Sequence, residues 1–228
     1  MTAETTAPPR RVLYLEMFLV LMVSLGESAV YATLSIVEKL TRNVPLGQQT
    51  TSMNNSAVPD RPWLDLAYQV AYIVLPLAPV ALCLYLLAVH LRPAEGPFRA
   101  MGFDLTRPWR DLGWGSAIFA GIGVAGLAFY LGAVALGLNT QVSPANLSAN
   151  WWTVPVLVLL AIKNAVLEEV LMVGFLFTRW AQTGRAMWII VVISAVVRGM
   201  YHLYQGWGGF AGNLLMGLIF GWLFLTVL

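Results

Sequence analysis

Six long apolar stretches dominate this chain of 228 residues. A helix needs about 20 apolar residues to cross the hydrocarbon core of a bilayer. Hydrophobic residues make up 59% of the chain and charged residues only 11%, whereas a soluble domain has about 25% charged residues. The stretches therefore predict an integral membrane protein. They cover residues 12–37, 63–91, 112–138, 154–177, 186–204 and 210–228.

The stretches lack the alternating pattern of a membrane β-barrel. Since backbone amides in lipid must be paired internally, each stretch is expected to be a helix. We predict an all-α, polytopic transmembrane helix bundle of about six spans. Residues 1–11 would form a disordered cytoplasmic tail, and residues 12–228 a single integral membrane domain. The first stretch is too long for the apolar core of a signal peptide, so we retain it as a span.

Positive charges predict the orientation in the membrane. The segment 92–111 is rich in arginine, and Arg179 and Arg185 lie in the next connection on the same side, whereas the loop 139–150 has no charge. Because positive residues favour the cytoplasmic face, we expect a cytoplasmic N-terminus in the plasma membrane. The arginines form no basic block, so membrane lipid is an expected partner and nucleic acid is not.

Two adjacent carboxylates, Glu168 and Glu169, lie deep in the fourth stretch. At 1.5 Å per residue, Glu168 is about 21 Å and about 14 Å from the two ends. A charge at that depth costs several kcal/mol unless it faces protein or a water-filled cavity, so these acids are candidates for a functional site. Neighbouring helical residues point about 100° apart. One acid is therefore expected to face a cavity while a partner holds the other.

The fifth stretch supplies His202 and Arg198, which share a helical face. The short connection at 181–184 makes the fourth and fifth helices antiparallel neighbours. Straight helices would leave Glu168 and His202 about 9 Å apart in depth, and tilt or an uneven turn can close that gap. Asn164 precedes Glu168 by one helical turn and is expected to hydrogen-bond to it.

A carboxylate and an imidazole in a hydrated pocket are typical of hydrolysis. Glu168 would take a proton from water as a general base, and His202 would orient the water or stabilise the oxyanion formed from a peptide carbonyl. We predict no cofactor. A zinc-dependent alternative would use Glu168 and His202 as ligands, one fewer than the three protein ligands usual for catalytic zinc.

These motifs resemble the CPBP family of intramembrane proteases, which includes the type II CAAX prenyl endopeptidases and bacteriocin-processing or abortive-infection proteins. The family motif EExxxR aligns with EEVLMV at 168–173, and FxxxH aligns with RGMYH at 198–202. The stretch MGFDLTRPWRDLGWG at 101–115 resembles the segment leading into the family's third helix. The protease-like core would thus span about 101–228.

The resemblance implies an intramembrane glutamic-type endopeptidase. Glu168 would activate water, Glu169 would assist or be structurally paired, and His202 would complete the site. The implied substrate is a membrane-associated peptide or protein, of which the prenylated CAAX tail is the best-known case for the family.

The sequence departs from the family pattern at three places. Val173 stands where the family has arginine, and Arg198 where it has phenylalanine. Because unpaired charges in lipid are costly, we expect Arg198 to replace the family arginine and to pair with Glu169. The family's last helix, with HxxxN or HxxxD, has no counterpart before Leu228. A truncated or reduced form is therefore expected, with Asn213 as a partial substitute donor.

Two other functions fit the same residues. A catalytically inactive immunity factor or scaffold would bind a peptide or protein in the cavity. A small transporter or proton relay would use the same acids to move an ion. Cleavage of a reporter that depends on Glu168 and His202 would distinguish the protease from both.

Overall fold

Helices make up most of the protein in a computed structural model, which describes residues 8–90, 96–103 and 105–227. The predicted all-α membrane bundle is confirmed. Residues 1–7 of the predicted tail and parts of the arginine-rich segment, 92–95 and 104, lie outside the described residues. The α-helices of the described part are α1 (Arg10–Met22), α2 (Leu25–Thr41), α3 (Pro62–Val74), α4 (Ala78–His90), α5 (Pro97–Ala100), α6 (Pro108–Ala135), α7 (Thr153–Glu168), α8 (Leu176–Gln182), α9 (Met187–Met200) and α10 (Trp207–Val227).

Within the described residues, four helical segments are long and apolar enough to cross a membrane: Pro62–Val89, Pro108–Ala135, Met187–Gln205 and Trp207–Thr226. The first predicted span is a pair of helices, α1 and α2, bent by 49°, which gives a fifth crossing if the pair acts as one. The fourth predicted span is helical but is not long and apolar enough to count as a membrane-crossing helix. Its helix α7 has only 16 residues, and Lys163, Glu168 and Glu169 interrupt the apolar run. The structure thus supports four or five spans by length and composition, where the sequence predicted about six.

Two of the crossing segments are interrupted part-way, and the α1–α2 pair is bent by 49° at its interruption. Between α1 and α2, the Ser24 hydroxyl donates to the Val20 carbonyl at 2.5 Å, a bond that competes with the helical pattern. Between α3 and α4, a 3-10 turn at Leu75–Leu77 contains Pro76, which has no N–H to donate. Serine and proline are common causes of helix kinks.

Helices α9 and α10 pack closely through small residues. A Cβ added to Gly217 would lie 2.7 Å from the Cα of Ala195, and one added to Gly199 would lie 2.8 Å from the Phe210 ring. Small residues allow two helix backbones to approach closely in a membrane, where dispersion contacts supply much of the attraction. The contact fixes α9, and with it Arg198, against the C-terminal helix.

The connections after α2 and α6 form a cap at one end of the bundle. Strand β1 (Thr50–Ser52) pairs in parallel with strand β2 (Gln141–Ser143). We call residues 42–61 and 139–150 the loop cap. The hydroxyls of Thr51 and Thr140 lie 2.6 Å apart, and Lys39 donates to the Tyr204 carbonyl at 2.5 Å. These contacts hold the 3-10 turn Leu203–Gln205, which directly follows His202.

The start of α10 is fixed to the loop cap by a buried asparagine. Asn139 accepts a hydrogen bond from the Gly209 amide at 2.8 Å, so it satisfies a backbone donor in the first turn, where no helical partner exists. Gly206 precedes the helix with a φ of 121°, a backbone conformation that favours glycine. A Cβ there would lie 2.6 Å from the Leu138 carbonyl oxygen. The position of α10 therefore depends on glycine at this turn.

Candidate active site

A cavity of about 950 Å³ opens at the level of the two helix breaks. Its wall is formed by the α1–α2 junction and α2, the turn Leu75–Leu77 and the first half of α4, the second half of α7 and the segment that follows α9. Because both breaks interrupt regular helix packing, the neighbouring helices leave space between them. The side chains with polar groups in its wall include Ser24, Glu27, Ser28, Tyr31, Ser35, Asn164, Glu168, Tyr201, His202 and Tyr204.

Glu168 is the last residue of α7 and lines this cavity. The Arg198 guanidinium of α9 donates to its Oε2 atom at 2.5 Å. The side chain of Arg198 is 7% exposed and that of Glu168 is 19% exposed. The arginine also lies over the Phe220 ring, 5.2 Å from its centroid. A buried charge is tolerated when it is paired and hydrogen-bonded, and this pair satisfies that condition for both groups.

Glu169 points in a different direction from Glu168. Its side chain is 53% exposed, and its Oε1 atom lies 3.7 Å from Arg198 Nη2. It is not among the residues that line the 950 Å³ cavity. The predicted contact between Arg198 and Glu169 is present, but it is the longer of the two contacts that Arg198 makes. The 100° rotation between successive helical residues gives the cavity-facing position to Glu168.

The helix continues after Glu168 as a π-helix, Glu169–Phe175. A π-helix changes the hydrogen-bonding register, and such segments are frequent at functional sites. Ser194 of α9 donates to the Met172 carbonyl at 3.0 Å, which gives that carbonyl a partner on the neighbouring helix. A Cβ on Gly174 would lie 2.6 Å from the sulfur of Met101. The π-helix is thus held on two sides.

His202 lies just beyond α9 and lines the same cavity as Glu168. Its Nδ1 atom is 3.0 Å from the Arg198 carbonyl oxygen. In the tautomer that carries its proton on Nδ1, that nitrogen donates to the carbonyl, and Nε2 can accept a hydrogen bond from a ligand. The imidazole ring lies between Tyr201, at 4.7 Å between centroids, and Tyr204, at 6.2 Å. These contacts restrict the orientation of the ring.

Tyr201 and Glu27 line the cavity but were not predicted as site residues. Tyr201 is 6% exposed. Its hydroxyl oxygen is buried close to the Glu168 carboxylate and interacts with it, in a geometry looser than that of a normal hydrogen bond. Glu27 reaches the cavity from α2. The adjacency of Tyr201 to His202 was the available signal in the sequence. For Glu27 the available signal was its depth in the first predicted span, 12–37, where an acid is a candidate for a functional site.

The two predicted asparagines occupy different places. Asn164 lines the cavity, but its hydrogen bond is with Lys163, whose Nζ donates to Oδ1 at 2.5 Å. Asn213 lines a second cavity of about 520 Å³ between α6 and α10, and it donates to the Gly209 carbonyl at 2.9 Å. The structure therefore does not bring Asn213 to the cavity that contains Glu168 and His202.

Within residues 8–90, 96–103 and 105–227, no group of three or more His, Cys, Asp or Glu side chains is arranged to hold a metal ion. Glu168 and His202 line one cavity, but the neighbour that contacts Glu168 most closely is the Arg198 guanidinium. A cation at this carboxylate would have to displace a positive group.

The fold and the cavity define a polytopic membrane helix bundle with a carboxylate and an imidazole in its interior. Residues 150–227 match the family model described as type II CAAX prenyl endopeptidase Rce1-like. The predicted resemblance to the CPBP family is thereby confirmed over this part of the chain. It contains α7 to α10, with Glu168, Arg198 and His202. No significant match was found among curated proteins or among solved structures.

Proposed function

We propose that the protein is an intramembrane glutamic-type endopeptidase that hydrolyses a peptide bond of a membrane-associated substrate. The single observation that carries the proposal is that Glu168 and His202 line one cavity inside a membrane bundle. The matched family, whose description names CAAX prenyl endopeptidases, supports a peptide of the prenylated CAAX type as the first substrate to test. The cavity volume is at the upper end of the range of about 300–1,000 Å³ for ligand sites.

In the proposed reaction, Glu168 takes a proton from a water molecule, and the water oxygen bonds to the carbonyl carbon of the substrate. His202 positions this water through Nε2. The tetrahedral intermediate collapses when the C–N bond breaks, and the proton passes from Glu168 to the leaving nitrogen. The carboxylate thus acts first as a base and then as an acid, and its charge is restored at the end.

Arg198 must release Glu168 before this proton transfer. The Arg198 guanidinium donates to Oε2 of Glu168 at 2.5 Å, so a charge-assisted hydrogen bond already occupies this carboxylate oxygen. Glu169 lies 3.7 Å from the same guanidinium nitrogen, so a small shift of Arg198 exchanges one acid for the other. In our proposal, substrate binding favours the Glu169 contact and leaves Glu168 to accept the proton.

The test is cleavage of a fluorogenic farnesylated CAAX peptide by the full-length protein in liposomes. We expect Glu168→Gln and His202→Ala to lower kcat/KM by about 10²-fold or more, the range expected for loss of a general base or of its partner. The matched control is Glu38→Gln. That carboxylate pairs with Arg42 on the exposed end of α2 and is expected to leave cleavage unchanged.

Thermal unfolding of each variant checks that the loss of cleavage is not a loss of fold. Full cleavage by Glu168→Gln would exclude a glutamate base. If the unchanged protein bound the peptide without cleaving it, the proposed hydrolysis would be wrong.

A further inference from the structure

Glu27 places a second carboxylate in the wall of the 950 Å³ cavity. It lies in the first turn of α2, three residues after Ser24, and it is exposed. Among the described residues, its carboxylate has no ion pair and no hydrogen bond. The lysine of the same helix, Lys39, is 12 residues further along the chain, about 18 Å at 1.5 Å per residue. No cation of α2 therefore reaches Glu27.

The acid belongs to a polar face of α2. The hydroxyl-bearing residues of this helix face follow one another at intervals of three or four residues, so they lie on one side of the helix. They line the cavity together with Glu27 and are Ser24, Ser28, Tyr31 and Ser35. Polar and ionisable residues within a membrane bundle usually face a water-filled cavity and mark the path of a substrate or an ion. The polar face of α2 is thus a candidate binding wall, on a different helix from Glu168.

The two carboxylates of the cavity differ in their partners. Glu168 accepts a hydrogen bond from the Arg198 guanidinium. Glu27 has no such partner, and the residues that form the described wall of the cavity include no lysine and no arginine. A negative charge at this depth is costly unless water or a cation stabilises it. A cationic group on a ligand would therefore find an uncompensated charge at Glu27.

The donor set indicates which cation fits. Among the described residues, Glu27 belongs to no group of three or more His, Cys, Asp or Glu side chains that could hold a metal ion. One carboxylate instead suits an ammonium or guanidinium group, which donates short, charge-assisted hydrogen bonds to it. In a peptide, these groups are the side chains of lysine and arginine.

We propose that Glu27 is a specificity residue that binds a lysine or arginine side chain of the substrate. This inference rests on the proposed peptide hydrolysis and names a substrate class for the same cavity. Since Glu27 and Glu168 line one cavity, the basic residue lies close to the bond that is cleaved.

The test measures the binding of paired peptides to the full-length protein in nanodiscs. Each probe is a farnesylated CAAX peptide in which a ketomethylene group replaces the amide after the cysteine, so that it cannot be cleaved. The two peptides of a pair differ at one position, which carries lysine or norleucine. Norleucine keeps the four side-chain carbons of lysine without its charge, so the ratio of the two Kd values reports the charge. The positions varied are the residue before the cysteine and each of the three after it.

Fluorescence anisotropy gives the Kd values for the unchanged protein, Glu27→Gln and the matched control Glu38→Gln. The control removes a carboxylate from the exposed end of the same helix. At one position, we expect the unchanged protein and the control to bind the lysine peptide about tenfold more tightly, the lower end of the effect of close charge pairs at interfaces. Glu27→Gln should lose this preference, and Glu27→Lys should prefer glutamate to lysine at that position.

Equal binding of lysine and norleucine peptides by the unchanged protein at all four positions would overturn the inference. A lysine preference that persists in Glu27→Gln would do the same, and so would the absence of binding by every peptide. Because the probes cannot be cleaved, these outcomes are independent of the cleavage assay, through which the proposed hydrolysis fails separately.

Discussion

At the scale of single residues, Arg198 is the group on which both acids depend. It donates to Glu168 at 2.5 Å and lies 3.7 Å from Glu169. Removal of one partner from a buried ion pair leaves an uncompensated charge and typically costs about 3–5 kcal/mol. The side chain of Glu168 is 19% exposed, so part of its charge stays solvated when the arginine is lost. We therefore expect Arg198→Ala to lower the free energy of unfolding by about 3 kcal/mol, the lower end of that range. Unfolding in mixed micelles measures the change.

The control for this prediction moves the charge without removing it. Val173 belongs to the π-helix that begins at Glu169 and is partly buried beside the main apolar core. The double variant Val173→Arg with Arg198→Phe returns a guanidinium to the helix that carries the acids. We expect it to recover most of the stability lost in Arg198→Ala. If the double variant recovers none of the lost stability, positions 173 and 198 are not alternative sites for the same guanidinium.

Depth and spacing in the sequence were enough to select Glu168, Arg198 and His202 as neighbours. Apolar length fixes how far a residue lies from the membrane surface, and a short connection fixes which helices are adjacent. Rotation about the helix axis is set by packing, which explains why Asn213 faces a different cavity. Tyr201 was missed because its place beside Glu168 in the cavity wall depends on the same packing.

At the scale of helices, the contact between α9 and α10 depends on glycine. A Cβ on Gly217 would lie 2.7 Å from the Cα of Ala195, and a backbone atom cannot move aside as a flexible side chain can. We expect Gly217→Ala to separate the helices and to destabilise the protein by about 1–3 kcal/mol, as overpacking typically does. Thermal unfolding in detergent measures the effect.

Gly121→Ala is the matched control on α6. No atom outside its own helix lies within 4 Å of the added Cβ, and alanine is the better helix former. We expect no loss of stability there. Equal destabilisation by the two variants would show that the close approach of α9 and α10 is not the cause.

Hydropathy located the helical segments, whereas their interruptions were not predicted. The continuous apolar runs hide the change of direction at Ser24 and the turn at Leu75–Leu77, because serine and proline cause kinks only in some contexts. The π-helix Glu169–Phe175 has no signal in an apolar sequence. The breaks at Ser24 and at Leu75–Leu77 form part of the cavity wall, so the sequence predicted a cavity but not its shape.

At the scale of the whole molecule, the orientation in the membrane is a prediction from charge that cysteine labelling tests. The single cysteine, Cys83, is fully buried, so we expect a membrane-impermeant maleimide to leave the unchanged protein unlabelled in cells. Ala149→Cys, in the loop cap, should be labelled from outside. Arg185→Cys, on the cytoplasmic side predicted by charge, should be labelled only after the membrane is opened. This outcome also requires the α7–α8 segment to cross the bilayer, although α7 has only 16 residues and is not one of the four or five apolar spans. The reverse pattern would invert the predicted orientation.

The contact of one guanidinium with two carboxylates also makes the two acids depend on each other. Both lie within ion-pair distance of the same Arg198 nitrogen, so removal of either carboxylate leaves the cation to the other. Substitution of Glu169, although its side chain lies outside the cavity, will consequently change how Arg198 holds the acid inside it.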